Sequence, residues 1–284
     1  MLHRFVLEVV IILHRYTQNL HTHGVLDDGK NSYESTVERA IELGFDSIGF
    51  SGHSAMAHSP SAMSVEGTEE YKKEVARLKE RYAGQIDVFC GIEFDLYSSD
   101  DLNGYDYVIG SLHYFHIEDQ YVGFDRSADE VKRVIDTYFG GSGMRFAKMY
   151  YETISQLPQY GKCDIVGHLD LIAKHNETCH FFDIESNEYK KYMLDAVDVL
   201  AREIGIFEIN TGGVARGYRK TFYPDAFVLK SIKERKGNIV ISSDCHDNRY
   251  LNYGFGEALD LARECGFKEV LKLGRNGFVP VSLY

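Results

Sequence analysis

The chain has 284 residues, with 31 lysines and arginines against 43 aspartates and glutamates, so its formal net charge is -12 with histidine neutral. This balance argues against a protein that coats nucleic acid, because binding the phosphate backbone needs clustered Lys and Arg. A hydrophobic content of 44% excludes global disorder. The unusual feature is the number of histidines, 12, since histidine is the commonest metal ligand.

Short β-type runs alternate with helical patterns along most of the chain. In chain order, the predicted strands are residues 16–20, 47–50, 86–94, 107–112, 164–169, 206–210, 238–242 and 270–273. The predicted helices are residues 69–82, 127–139, 144–157 and 185–204. About seven or eight βα units without a dinucleotide-binding fingerprint favour a closed or distorted barrel in one α/β domain, residues 1–284, with a doubly wound open sheet as the alternative.

Residues 1–15 are predicted to form an N-terminal extension to this domain. Their apolar run carries Glu8, lacks a small-residue cleavage site and is far shorter than the roughly 20 residues that span a bilayer. The five cysteines are widely spaced without a CxxC pair, which disfavours a disulfide framework. We therefore expect a soluble cytoplasmic protein that binds neither membranes nor nucleic acid.

Histidines and carboxylates recur at one kind of place, the carboxyl end of a predicted strand. They are His21, His23, His53, Glu93, His113, His168, Asp244 and His246. A single histidine at a strand end is more often a hydrogen-bonded core residue than a ligand. In a parallel barrel, however, all these strand ends meet on one face, and imidazole with carboxylate suits Zn, Mn and Fe(II). Six histidines and two carboxylates exceed the needs of one ion, so we expect a cluster of two or three.

The order of the motifs resembles the polymerase and histidinol phosphatase (PHP) family. The matching segments are His21-Thr22-His23, Asp28-Gly29, Gly49-Phe50-Ser51-Gly52-His53, Gly91-Ile92-Glu93, Gly110-Ser111-Leu112-His113-Tyr114, Gly167-His168-Leu169-Asp170 and Ser243-Asp244-Cys245-His246. Within that family the chain looks like the stand-alone histidinol-phosphate phosphatases of histidine biosynthesis, to which Asp28-Gly29 and the stretch Glu208-Ile209-Asn210-Thr211-Gly212-Gly213 are also similar. The resemblance implies a distorted (β/α)7 TIM-like barrel.

The resemblance also implies three divalent ions, Zn, Mn or Fe. The first would be held by His21, His23, Glu93 and Asp244, the second by Glu93, His113 and His168, and the third by Asp28, His53 and His246. A hydroxide that bridges the ions beside Glu93 would attack the phosphorus of L-histidinol phosphate. The chain departs from the branch at Gly52, where an aspartate often precedes the histidine, and this concerns the residues that support the ligands.

Phosphate oxygens that no metal binds call for cationic donors, and the planar fork of arginine suits them. Arg216 and Arg219 follow the strand at 206–210, and Lys174 follows the strand of His168, so these three are the predicted phosphate-binding residues. Asp170 and His58 are candidates for the acid that protonates the leaving alkoxide.

Three alternatives stay open at this point. The metal and phosphate motifs do not specify the leaving group, so another small phosphomonoester, such as a nucleotide or sugar phosphate, could be the substrate. A metal-dependent hydrolase of C–N bonds also uses an HxH pair at a strand end, although it commonly needs a carboxylated lysine that does not stand out here. A metal-binding module without catalytic activity is the third alternative.

Overall fold

A computed structural model describes residues 16–161 and 163–284. The predicted N-terminal extension, residues 1–15, lies outside the described residues. Within the described part of the chain, no helix has both the length and the apolar character needed to cross a membrane.

The strands form one parallel sheet and two antiparallel hairpins. In chain order they are β1 (Gln18–Asn19), β2 (Ser47–Phe50), β3 (Asp87–Asp95), β4 (Tyr107–Ser111), β5 (Tyr114–Ile117), β6 (Gln120–Gly123), β7 (Ile165–Val166), β8 (Ile206–Asn210), β9 (Asn238–Ser242), β10 (Glu269–Gly274) and β11 (Gly277–Ser282). The sheet has seven strands in the order β1-β2-β3-β4-β7-β8-β9, and every pairing in it is parallel. The predicted strands at 47–50, 206–210 and 238–242 are confirmed with the same bounds.

The two edge strands of the sheet, β1 and β9, meet just beyond their carboxyl ends. Thr22 and Cys245 form a parallel β-bridge. The amide of His23 donates to the carbonyl of Cys245 (2.9 Å), and the amide of Cys245 donates to the carbonyl of His21 (3.0 Å). The sheet is therefore nearly closed into a barrel, as expected for a distorted (β/α)7 fold, and the closure lies at the face where the histidines gather.

Helices cover the outside of the barrel. They are α1 (Tyr33–Glu42), α2 (Val65–Arg81), α3 (Ala128–Phe139), α4 (Gly143–Ile154), α5 (Leu157–Tyr160), α6 (Asn176–Cys179), α7 (Asn187–Glu203), α8 (Gly212–Ala215), α9 (Ala226–Glu234) and α10 (Phe255–Glu264). Serine hydroxyls accept from the first-turn amides of α1, α2, α3, α4 and α7, which defines where these helices begin. Their apolar faces, such as Val75 and Leu78 of α2, are buried against the sheet side of the molecule.

The two antiparallel hairpins were predicted only in part from the sequence pattern. The predicted strand at 270–273 is present as β10, but it pairs antiparallel with β11 and lies outside the barrel sheet. The hairpin β5–β6 was not predicted. A short apolar run has the same pattern whether its partner is parallel or antiparallel, so its partner is a matter of tertiary structure.

Tyr107 fills the interior of the barrel below the histidines. Its hydroxyl donates to the carbonyls of Phe50 (3.0 Å) and Leu20. Glycines at 49 and 91 leave room for the ring, since a Cβ at either position would come within 2.3 Å of Tyr107 atoms. This packing ties three strands together directly beneath the open face.

Candidate metal centre

A cavity of about 410 Å³ opens at the carboxyl ends of the barrel strands. Its lining includes seven of the nine residues that the sequence nominates as ligands, namely Asp28, His53, Glu93, His113, His168, Asp244 and His246. The remaining two, His21 and His23, are buried against Glu93 and Asp244. Nine side chains from separate parts of the chain thus converge on one place.

The first group consists of His21, His23, Glu93 and Asp244. The Nε2 atom of His21 lies 3.3 Å from Oε2 of Glu93 and 3.7 Å from Oδ1 of Asp244. The Nε2 atom of His23 lies 3.6 Å and 3.2 Å from the same two oxygens. Two ligands of a tetrahedral ion with metal–ligand bonds of about 2.1 Å are about 3.4 Å apart, so these four nitrogen–oxygen distances fit pairs of ligands that share a divalent ion. His21, His23 and Asp244 can place one ligand atom each within 4.8 Å of one another, and Glu93 adjoins this trio.

Two further observations fit a metal at this point. The Nε2 atoms of His21 and His23 are buried and form no hydrogen bond of good geometry with any residue of the described chain. Leaving such atoms unsatisfied costs about 1–3 kcal/mol each, and a bound cation would remove that cost. Asp244 also has φ 46, a backbone conformation rare outside glycine, and such strain clusters at functional sites.

A second group surrounds the other oxygen of Glu93. Its Oε1 atom lies 2.8 Å from Nε2 of His168 and 3.6 Å from Nε2 of His113. The two imidazole rings are 5.0 Å apart, centroid to centroid. Oε2 of Glu93 faces His21, His23 and His53, whereas Oε1 faces His113 and His168. Since its two oxygens face different sets of histidines, this carboxylate could bridge two ions.

The third group lies toward the cavity mouth. Oδ1 of Asp28 is 3.1 Å from Nε2 of His246 and 3.7 Å from Nε2 of His53. With His23, these residues can place one ligand atom each within 4.8 Å of one another. The Nδ1 atom of His53 also lies 2.9 Å from Oε2 of Glu93, so the third group adjoins the first.

Carboxylates behind the histidines were missed by the sequence reasoning. Glu208 lies 2.9 Å from Nδ1 of His21, and Asp95 lies 3.2 Å from Nδ1 of His113. A carboxylate on the far nitrogen of an imidazole fixes the tautomer that leaves Nε2 free for a metal. Asp95 is the last residue of β3, as expected for a residue at the site, and that position was an available signal. Glu208 lies in the middle of β8, two residues before its end, and had no such signal.

The surroundings raise the pKa of some imidazoles in the cluster and lower the pKa of another. Burial lowers the pKa of His23, but Asp27 and Asp244 outweigh it and raise that pKa to about 10. Burial acts likewise on His113, and Glu93 and Asp95 raise its pKa to about 9. The pKa of His246 is instead lowered by burial and by its neighbour His23.

The pKa of the Glu93 carboxyl is shifted downward by imidazoles of the same cluster. Burial raises the pKa of Glu93, but His53, His21 and His113 outweigh it and hold that pKa well below its usual range. Without a metal, Glu93 is therefore ionised and the imidazoles of His23 and His113 carry a proton on both nitrogens at neutral pH.

Two of the three nominated phosphate-binding cations line the cavity, Arg216 and Lys174. Arg216 donates to the carbonyl and to Oδ2 of Asp244, each at 2.7 Å. Lys174 pairs with Asp125 at 3.0 Å and lies over the ring of Tyr218. Both cations thus line the same cavity as the metal-type residues.

Arg219 and Asp170 are placed differently from the expectation. They pair with each other at 3.1 Å, with side chains 3% and 2% exposed, and neither is part of the cavity lining. Arg219 also lies over the ring of Tyr223 at 4.5 Å. Arg216 directly follows the helical turn α8 and lines the cavity, whereas Arg219, three residues later, lies outside the cavity lining. Their placement supports a packing role and gives no support to phosphate binding by Arg219 or acid catalysis by Asp170.

His58 is also absent from the cavity lining. Its ring stacks on Tyr121 of the β5–β6 hairpin, with centroids 3.8 Å apart, and meets Tyr114 edge-on at 4.8 Å. The predicted role of His58 as an acid is therefore not supported by its position.

Residues 18–212 match the family model described as "PHP domain", which is more than half of the chain. The chain belongs to the PHP family. Two nominated ligands, Asp244 and His246, lie beyond the matched range, and they are joined to the matched residues by the pairing of β8 with β9 and by the closure of β1 against β9.

Curated relatives and a solved structure resemble the chain over most of its length. It is 27% identical over 245 residues to a protein of Deinococcus radiodurans named "Probable histidinol-phosphatase", covering 82% of this chain and 87% of the relative. It is 25% identical over 266 residues to the histidinol-phosphatase of Bacillus subtilis, covering 85% and 97%. The histidinol phosphate phosphatase of Lactococcus lactis, solved with Zn, L-histidinol and phosphate, superposes with a TM-score of 0.72 at 21% identity, covering 93% and 99%. This last likeness establishes the same fold.

Proposed function

We propose that this PHP protein is a histidinol-phosphate phosphatase that hydrolyses L-histidinol phosphate to L-histidinol and phosphate. The observation that carries the proposal is that seven of nine metal-type side chains line one cavity together with two cations, Arg216 and Lys174, while the other two, His21 and His23, lie buried against them. The names of the relatives in Deinococcus and Bacillus support the choice of substrate. In this proposal residues 1–284 form one metallophosphoesterase domain and act in the cytoplasm in histidine biosynthesis.

Three ligand sets are proposed. The first is His21, His23, Glu93 and Asp244, the second is Glu93, His113 and His168, and the third is Asp28, His53 and His246. The donor atoms, imidazole nitrogens and carboxylate oxygens, suit Zn, Mn and Fe. The Zn in the Lactococcus structure is consistent with this choice. Divalent ions at these positions would neutralise phosphate charge and lower the pKa of a bound water.

The protein side chains have their own tasks in the reaction. Asp28 and Glu93 line the cavity, and as proposed ligands they would hold the ions that face the phosphate. Arg216, whose guanidinium is already oriented by Asp244, presents N–H groups at that face. Lys174 adds a second positive charge to the cavity lining. The two cations would thereby attract the phosphate dianion to this part of the cavity.

A panel of phosphomonoesters tests this proposal. The purified protein is stripped with a chelator, reloaded with Zn, Mn or Fe(II), and analysed for metal content. We expect about three ions per chain, release of phosphate from L-histidinol phosphate, and at least about tenfold lower kcat/KM for a nucleoside monophosphate and a hexose phosphate. Loss of release after chelation, with recovery on reloading, is expected.

The contrary results have distinct meanings. No release from any phosphomonoester by fully loaded protein would refute phosphatase activity. A preference for a nucleotide or a sugar phosphate would keep the reaction and refute histidinol phosphate as its substrate.

A further inference from the structure

The side chain of Asp27 lies at the junction of two ligand-bearing loops. It is fully buried, yet it is not part of the cavity lining. Its Oδ2 atom is 2.6 Å from Nδ1 of His23 and accepts from the backbone amide of His53 at 3.0 Å. Its Oδ1 atom accepts from the backbone amide of Gly24 at 2.8 Å. One carboxylate therefore holds an imidazole after β1 and the backbone that carries another imidazole after β2.

The neighbour that makes room for this carboxylate is Gly52. A Cβ built on Gly52 would come 3.0 Å from Oδ2 of Asp27 and 3.2 Å from Cε of Met63. Gly52 does not have a positive φ, so its backbone permits a side chain and only the space is lacking. The direction of that missing Cβ points at the oxygen that binds His23 and His53.

We propose that Asp27 is a positioning residue that fixes the tautomer of His23 and ties the first ligand set to the third, and that Gly52 is the space reserved for its carboxylate. This rests on the proposed metal sites but not on the identity of the substrate. Because Nδ1 of His23 donates to Asp27, Nε2 is left as the acceptor that faces Glu93 and Asp244. The backbone amide of His53 donates to the same carboxylate. A shift of the loop that carries Asp27 would therefore displace both histidines.

The geometry predicts that the carboxylate can be supplied from either position. An aspartate at 52 would begin 3.0 Å from the present site of Oδ2, and removing the side chain of Asp27 would vacate the volume that it needs. The same aspartate introduced beside an intact Asp27 would meet a like charge at close range. Gly52→Asp should therefore have opposite consequences in the two backgrounds.

The experiment measures Zn²⁺ dissociation constants by competition with a chromophoric chelator, for the full chain without substrate. The variants are Asp27→Ala, Gly52→Asp, their combination, and Asp27→Ala with Gly52→Ala as the matched control. We expect Asp27→Ala to weaken Zn²⁺ binding about 10–100-fold. The combination with Gly52→Asp should recover at least about tenfold of this loss, the Gly52→Ala control should recover none, and Gly52→Asp alone should bring no gain.

Two further measurements separate positioning from general support of the fold. The unfolding midpoint of each metal-free variant is recorded, and KM and kcat are measured at saturating Zn²⁺. Positioning predicts recovery of Zn²⁺ affinity without a matching change in the midpoint, and a KM within about twofold of the parent, since Asp27 lies outside the cavity lining. An inactive parent protein would count against the proposed substrate, whereas the Zn²⁺ constants would still test Asp27.

The inference is overturned if Asp27→Ala binds Zn²⁺ as tightly as the parent, or if Gly52→Asp raises the affinity equally in both backgrounds. Should Asp27→Ala fail to fold, Asp27→Asn replaces it, because the amide retains the size of the side chain and keeps only one acceptor oxygen. Parental Zn²⁺ affinity in Asp27→Asn would equally overturn the inference.

Discussion

The Nδ1 atom of His21 lies 2.9 Å from Oε2 of Glu208, and both side chains are fully buried. The other oxygen of Glu208 accepts from the backbone amide of His168 at 2.6 Å. Glu208, on β8, therefore supports two proposed ligands that belong to two different ion sites. Asn210 and Ser242 donate to the same carboxylate and hold it in place.

Replacing this carboxylate tests its support of the metal centre. We expect Glu208→Gln to lower metal affinity about 10–100-fold, because the amide can present its NH₂ group to Nδ1 and favour the wrong tautomer of His21. The measurement is the metal retained after dialysis against a graded chelator series. Retention equal to that of the parent would show that Glu208 only packs beside the site.

Histidines inside and outside the cluster should respond differently to the same substitution. His23→Asn is expected to lose bound metal together with phosphatase activity, since His23 supplies Nε2 to the first ligand set. His180→Asn is the matched control, because His180 is exposed and ends the short helix α6. Metal content and turnover are measured on both variants. Unchanged values in His23→Asn would remove it from the ligand set.

Metal binding should release protons, and the affinity should rise with pH. Asp27 and Asp244 keep the pKa of His23 at about 10, despite burial, so the metal-free imidazole is protonated at neutral pH. A ligating imidazole must lose that proton. Calorimetric titration with Zn²⁺ in buffers of different ionisation enthalpy measures the release. Heats that do not depend on the buffer would contradict the prediction.

The same shifts affect the stability of the metal-free protein. A folded-state pKa of about 10 for His23 and about 9 for His113 lies above the unfolded value near 6.5. Their stabilisation is fully present below about pH 6.5 and is lost as pH rises through about 9–10. The unfolding midpoint of chelator-treated protein should therefore fall over this window, and the metal-loaded protein should fall less.

Removing Arg219 should affect stability and leave substrate binding intact. Arg219→Met leaves Asp170 buried without its cation, which costs about 3–5 kcal/mol of unfolding free energy. The double variant with Asp170→Asn should recover part of that loss, because the uncompensated charge is gone. Urea unfolding and KM are measured on both. A raised KM in the folded single variant would restore the predicted role of Arg219 in phosphate binding.

Arg216 is expected to behave in the opposite way. Arg216→Lys keeps the charge and loses the planar fork, so we expect KM for the phosphomonoester and Ki for inorganic phosphate to rise together by about tenfold, equivalent to about 1.4 kcal/mol. Lys30→Gln is the control, a cavity-lining cation whose side chain is 69% exposed. A similar rise in Lys30→Gln would indicate a general charge effect.

The sequence by itself determined the fold class and the ligand candidates. The carboxyl ends of the strands in a parallel βα barrel lie on one face. The proximity of His21, Glu93 and Asp244 could therefore be predicted from local sequence pattern. Asp28 came only from the family resemblance, because an Asp-Asp-Gly turn has no distinctive local signal. The strand at 270–273 was located, but β11 and the antiparallel pairing between them were not predicted, since a short apolar run carries no information about its partner.

Only the tertiary structure decided which polar residues serve the site and which serve the core. Arg216 and Arg219 are three residues apart and chemically identical, yet one lines the cavity and the other is buried against Asp170. Asp27 and Glu208 act through hydrogen bonds to segments distant in sequence or to a backbone amide. Such contacts depend on the path of the chain in space, and the physical reason is that burial and hydrogen-bond geometry belong to the folded surroundings and not to the residue type.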